Sequence, residues 1–261
     1  MAVSFPPRAA RLIDSKRLNR ALFGVYFEED IYEKLGRALP VAMRALPFLI
    51  DPAMRARNLI FVHVPRVAGT SIGRALYGRQ GSRHHSARVL RTLDPVFFGA
   101  ARSFAVLRDP FDRFASAFAF VRARGSENCP LAEVFVRDTA KVVSIDDYLS
   151  YLEQRDDFSL DFVMRRQSWF VCDLASGEPL VKTLFLYGED DAALALYLRA
   201  HGVTALPWLN RGAGGVPPLS ARQRRRVERL YADDFALIEA QRKQRAWEAA
   251  GLAPPRDVAA E

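Results

Sequence analysis

Lysine is nearly missing from this basic chain. It stands only at Lys16, Lys34, Lys141, Lys182 and Lys243, so arginine supplies most of the 38 basic residues, against 30 acidic ones. Cysteine is scarcer still. Cys129 and Cys172 form no CxxC and cannot build a metal site alone, and they read as buried free thiols of a reducing, cytoplasmic protein. No apolar run reaches the roughly 18–20 residues of a membrane span; the longest early candidate, Val41 to Ile50, is interrupted by Arg44 and Pro47. The stretch Met1 to Arg8 lacks an apolar h-region and a cleavage site, so no signal peptide is expected. Internal repeats are absent. So is the Walker pattern GxxxxGK[ST], and no acidic residue ends a neighbouring strand to hold magnesium. These absences argue against a membrane span, a disulfide scaffold and a metal-dependent kinase.

What is present is ordinary globular composition: 261 residues, 50% hydrophobic and 26% charged, enough for one sizeable core. The net charge of +8 suits an anionic ligand or polyanionic substrate, and by itself also nucleic acid. The cluster Arg222-Gln223-Arg224-Arg225-Arg226 lies within a helical pattern and reads as a solvated face, so no nucleic-acid partner is expected.

Apolar runs at Leu59 to Val64, Arg102 to Leu107 and Val181 to Tyr187 predict strands, each followed by a helical stretch. The helices are expected from Thr70 to about Gly78, Asp112 to Arg124, after Ser144 with Asp147 in a capping box, up to His201-Gly202, and from Ser220 to about Trp247. Strand–helix alternation predicts an α/β fold with a central, mainly parallel sheet flanked by helices. Arg17 to Leu39 carries a helical stripe, expected to pack on the domain or a partner, with a peripheral membrane contact left open.

Two strand–loop–helix units carry the chemistry. In the first, Pro65-Arg66-Val67-Ala68-Gly69-Thr70-Ser71, the glycine lets backbone approach an anion. The hydroxyls sit where a helix N-terminus offers free N–H groups, and Arg66 adds a full charge. In the second, Arg108 ends a strand at the usual ligand edge of an α/β sheet. Asp109-Pro110 turns the chain, and Ser116 lies eight residues beyond Arg108, where it can face the same anion. Arg113, three residues before Ser116, can share its helix face. Two such loops in this order point to a nucleotide with phosphates at both ends.

The pairing of Phe61 to Ser71 with Arg108 to Phe118 resembles the sulfotransferases that use 3′-phosphoadenosine 5′-phosphosulfate (PAPS), in the carbohydrate-type sulfotransferase family 2, which has bacterial members. Arg165-Arg166-Gln167-Ser168-Trp169-Phe170, Leu206 to Arg211 and the Tyr231-x-x-Asp234-Phe235 stretch add to the likeness. The resemblance implies a P-loop-like sulfotransferase fold over residues 56–248; the helical stripe makes 1–55 a helical extension and 249–261 is expected to be a disordered tail. It implies that Arg66, Val67, Ala68, Gly69, Thr70 and Ser71 bind the 5′-phosphosulfate and that Arg108 and Ser116 bind the 3′-phosphate. It implies PAPS as co-substrate, no metal, and a hydroxylated acceptor, a carbohydrate foremost.

The family usually has lysine where Arg66 stands. Arginine keeps the charge but as a planar fork, which leaves a binding protein without turnover as the alternative reading. The resemblance also implies a histidine base between the motifs, matched best by His85 with His84 second. His63 reads as a core histidine, His201 as a helix-end residue, and Glu133 or Asp161 as substitute bases with nothing in their spacing to recommend them.

Overall fold

The computed structural model describes residues 15–78, 83–126, 129–204 and 217–251. At its centre three parallel strands, Leu59–Val62, Arg102–Leu107 and Thr183–Leu186, lie side by side in chain order. Leu59 pairs with Arg102 and Leu107 with Leu186, so the first two strands start level and the last two end level, while the first strand stops at Val62 opposite Ala105. The first strand is buried throughout and the second everywhere but Arg102, as continuous apolar runs require between two helical layers. Phe61, Phe104 and Phe185 pack against one another across the sheet, the first pair tilted and the second edge-on, with centroids 5.0 and 6.1 Å apart.

The helix Gly69–Tyr77 follows the first strand and stops at Gly78, whose φ of 69° closes it in the left-handed region. Its Tyr77 hydroxyl accepts from the Phe61 N–H and donates to the Leu59 carbonyl, pinning the helix end back onto the strand's start. The helix Pro110–Arg122 follows the second strand; Asp109 caps it by accepting from the Phe111 and Asp112 N–H groups, with Pro110 in its first turn. The expected capping box at Ser144 and Asp147 opens the helix Ile145–Glu153.

Two expected helices are broken. The stripe from Arg17 to Leu39 is two helices, Ser15–Phe23 and Glu28–Ala38, parted after Gly24 at φ 70°. The single helix expected after Ser220 is Ala221–Leu230 and Ala232–Ala249, because Tyr231 leaves helical geometry and donates its hydroxyl to the Met164 carbonyl at 2.9 Å. Two further helices, Ala87–Leu93 and Pro95–Ala100, stand between the loops where no element was expected. Ser86 and Asp94-Pro95 are their start signals.

The segment before residue 56 packs into the same core as the strands: Met43, Ile50 and Met54 belong to the cluster that holds Phe61 and Phe104. Asp30 and Arg165, 1% and 0% exposed, form a two-pronged ion pair at 2.6 and 2.7 Å. Glu33 accepts from the Ser86 hydroxyl and, at 3.0 Å, from Arg88. Among the described residues no helix is long and apolar enough to cross a membrane. Both cysteines are free, and Cys129 is exposed where a buried thiol was expected; only Cys172 is buried.

Candidate active site

Adjacent parallel strands lie about 4.8 Å apart, so the sheet sets the first two loops side by side at its C-terminal edge. In the first loop Arg66 and Ala68 adopt φ of 70° and 63°, left-handed values that cost a side-chain-bearing residue about 1–2 kcal/mol each. Val67 between them keeps a negative φ and is wholly buried, anchoring the turn in the core. Backbone that alternates in hand this way turns successive N–H groups toward one side, a concavity suited to an anion. Thr70 and Ser71 follow in the first turn of the helix, beside its positive dipole end.

Gly69 has a different duty from the one its motif suggests. A Cβ there would lie 1.8 Å from Cδ2 of His63 and 2.1 Å from its Nε2. Close approach to an anion was expected to need the glycine; the structure gives that space to the His63 ring. His63 itself is 4% exposed, the core histidine expected.

Arg66 ties the two loops together. Its Nε donates to the Ser116 hydroxyl at 3.1 Å, and its guanidinium lies 4.8 Å over the Phe120 ring. Burial holds its pKa below the ordinary arginine value, and the charges of Arg108 and Arg113 add to the effect. Arg108 rests 5.4 Å over the Tyr187 ring, and its Nε is buried with no hydrogen-bond partner. Neither Arg66 nor Arg108 forms an ion pair among the described residues. Arg113 does not share an anion with Ser116 as its spacing suggested. It is 2% exposed and turned inward, donating to the Pro65 carbonyl at 3.1 Å and the Arg165 carbonyl at 2.7 Å. The second loop's helix thereby props up the first loop.

The second loop is held from behind. Gln167, fully buried, accepts from the Arg108 N–H and donates to the Arg108 carbonyl, both at 2.8 Å. Asp234 in turn accepts from the Gln167 and Ser168 N–H groups, both at 2.8 Å. Burial raises the Asp234 pKa, opposed first by the charge of Arg113. The Tyr231-x-x-Asp234 stretch thus fixes the segment Met164 to Ser168, which fixes Arg108. The Leu206 to Arg211 stretch lies outside the described residues.

The four histidines divide sharply. His85 is 5% exposed, neither ring nitrogen has a partner, and burial, then Arg83 and His84, push its pKa down to about 4. It lines a cavity together with Phe61, Gly73 and Tyr77. His84 packs on His63, the histidine that touches the first loop. Its ring lies 4.3 Å from His63, which packs on Gly69, and its Nδ1 is 3.2 Å from the His63 carbonyl oxygen. A carbonyl only accepts, so Nδ1 carries the proton and Nε2 keeps the basic lone pair. Burial lowers the His84 pKa, opposed by that hydrogen bond and then by Asp161.

Asp161, 8% exposed, accepts from the Val163 N–H, and burial raises its pKa. Its charge opposes the lowering of the His84 pKa and helps to raise that of Cys129. Glu133 begins an outlying helix and pairs with Arg137 at 3.7 Å. Gln167 and Asp234, named in the sequence only as parts of stretches of likeness, and Arg113, expected to share the face of Ser116, take supporting roles with no local signal, since each acts across a sequence gap of 48 residues or more.

Compared with known proteins, the chain matches the family model described as "Sulfotransferase family" over residues 48–182, just over half its length. No curated protein and no solved structure matches it.

Proposed function

Since the chain belongs to the sulfotransferase family, we propose that it moves a sulfuryl group from PAPS to a hydroxyl of an acceptor, a carbohydrate foremost. The observation that carries this reading is the bond from Arg66, in the loop after the first strand, to Ser116, in the helix that follows Arg108 at the end of the adjacent strand. Two cations that have no carboxylate partner among the described residues, one with a buried unpaired Nε, form a donor set that suits phosphate oxygens.

In this reading Arg108 and Ser116 hold the 3′-phosphate. Arg66, the N–H groups of the Val67–Gly69 turn and the hydroxyls of Thr70 and Ser71 hold the 5′ end. Arg66 commits its Nε to Ser116 and keeps its two terminal nitrogens for the ligand, a division of donors that a lysine ammonium cannot reproduce. As the acceptor oxygen attacks sulfur, Arg66 meets the negative charge left on the departing 5′-phosphate, the kind of preorganised donor that contributes most to lowering such barriers. The acceptor's proton goes to Nε2 of His84, the nitrogen left basic by the bond of Nδ1 to the His63 carbonyl.

Thermal shifts with adenosine 3′,5′-bisphosphate and with AMP test the binding half. The bisphosphate should stabilise the protein more, and Arg108→Ala should remove the difference; equal shifts would sink the two-phosphate assignment. Transfer of labelled sulfate from PAPS to a carbohydrate panel tests the chemistry. His84→Ala should cut turnover by about 10²–10⁴-fold while leaving bisphosphate binding intact. Bisphosphate binding without transfer to any hydroxyl would leave a binding protein.

A further inference from the structure

Of the two helices Ser15–Phe23 and Glu28–Ala38, only the second packs apolar side chains, Tyr32 and Leu35, on the core. No residue of the first is buried. An amphipathic surface helix ordinarily lays its apolar stripe on the core and turns its polar side to water. Here the polar side meets the domain. Lys16 sets its ammonium 4.6 Å over the Phe27 ring, and Arg20 its guanidinium 5.1 Å over the Tyr26 ring. Asn19 donates to the Tyr26 carbonyl at 3.4 Å, and Arg20 to the Gly24 carbonyl at 2.6 Å. Lys34 donates to the Phe23 carbonyl at 2.8 Å, which ties down the helix's last residue.

The apolar side is left outside. At about 100° per residue, Leu18, Ala21 and Leu22 share the face opposite Lys16 and Asn19. Leu18 and Leu22 are 45% and 65% exposed, and Phe23 at the helix end is 47% exposed. Single exposed leucines are ordinary; a helix held by its polar side, with leucines one turn apart facing out, is not. So small a face falls well short of the about 1,200–2,000 Å² that a stable protein–protein interface buries, so a second copy of the chain does not suit it. A lipid interface needs no matched surface. An amphipathic helix enters it on a few apolar side chains, aided by basic ones attracted to anionic headgroups. This helix carries Lys16, Arg17 and Arg20 and no acidic residue. The sequence before it adds Arg8 and Arg11 against Asp14.

We propose that the helix Ser15–Phe23 docks the protein on an anionic lipid surface, with Leu18, Leu22 and Phe23 entering the headgroup layer. The contacts of its polar side with Tyr26, Phe27 and Gly24 hold the leucines outward before any surface is met, so little ordering is lost on binding. Nine residues are too few to span a bilayer, and the contact is therefore peripheral and reversible. It is independent of the transfer reaction proposed above.

The test sediments the full chain with vesicles of phosphatidylcholine alone and of phosphatidylcholine mixed with phosphatidylserine. The mixed vesicles should be bound about tenfold or more tightly than the neutral ones, and less tightly as salt rises. Leu18→Ser combined with Leu22→Ser should weaken that binding by about tenfold or more. The double variant should keep the Tm of the natural protein, since neither leucine is buried. Equal binding to the two vesicles, or binding untouched by the double substitution, would overturn the proposal. A lower Tm in the double variant would also overturn it, by showing that the chain itself covers the leucines. So would a dimer in sedimentation velocity that the double substitution breaks, with a second copy then the occupant. Vesicle binding is read without nucleotide, so failure of the bisphosphate to bind would count against the transfer reaction and not against this surface.

Discussion

Arg66 shows how much one side chain can be asked to do when its backbone is fixed. Held in the left-handed region, it reaches Ser116 through Nε and stacks on Phe120, two contacts a lysine would lose together. Arg66→Lys is expected to weaken bisphosphate binding about tenfold by calorimetry, the worth of one polar and one cation–π contact. His85 supplies a pH signature. Its folded pKa of about 4 lies below the unfolded value near 6.5, so the unfolded chain binds the extra proton in that window. Stability is therefore fully present above pH 6.5 and is lost as pH falls toward 4, by about 3 kcal/mol. Denaturant melts at pH 7 and pH 4.5 should show a smaller loss in His85→Phe than in the natural protein. At this scale Arg108 and Ser116 were legible, because a strand end and a helix turn fix their relation. The choice between His84 and His85 was not. Neighbours in a loop face different ways, and what separates these two is that His84 packs on His63, which in turn packs on Gly69.

Among the elements, the supports of the two loops matter as much as the loops. Gln167→Ala would strip both bonds from the Arg108 backbone and leave its N–H and carbonyl without their partner. A loss of about 2–4 kcal/mol in denaturant unfolding is expected, with weaker bisphosphate binding although Gln167 is assigned no contact with the ligand. The Gly69–His63 contact makes a second prediction. Gly69→Ala puts a methyl carbon into the imidazole and should be strongly destabilising, whereas pairing it with His63→Ala should recover much of the loss. Melting curves of the two single variants and the double variant check this; equal stability of the Gly69→Ala and double variants would refute it. Strands and capped helices were readable from apolar runs, Ser144 with Asp147, and Asp109-Pro110. The break at Tyr231 was not, because the helical pattern of inward residues runs straight through it from Val227 to Ile238, and its cause is a hydroxyl bond to Met164, 67 residues away in sequence.

In the whole molecule, the parts before and after residue 56 are locked by charge in the interior. Asp30→Ala would leave Arg165 buried without its carboxylate, at a cost of about 3–5 kcal/mol. A chain starting at residue 48, where the family match begins, should therefore fail to fold by circular dichroism. An α/β sheet could be inferred from sequence; this dependence could not, since Asp30 and Arg165 are separated by 135 positions and look like ordinary surface charges. The bond from Arg66 to Ser116 has a last consequence, best put as avidity. Under the proposed function each loop alone is a weak anion site, but the ladder between adjacent strands holds the two at a fixed separation, as a rigid linker would. A nucleotide phosphorylated at both ends then engages its second site intramolecularly, a gain of about 10²–10⁴ with no new contact. One phosphorylated at a single end forfeits that whole factor, so cleaving either phosphate from the spent nucleotide would release it far more effectively than weakening either loop.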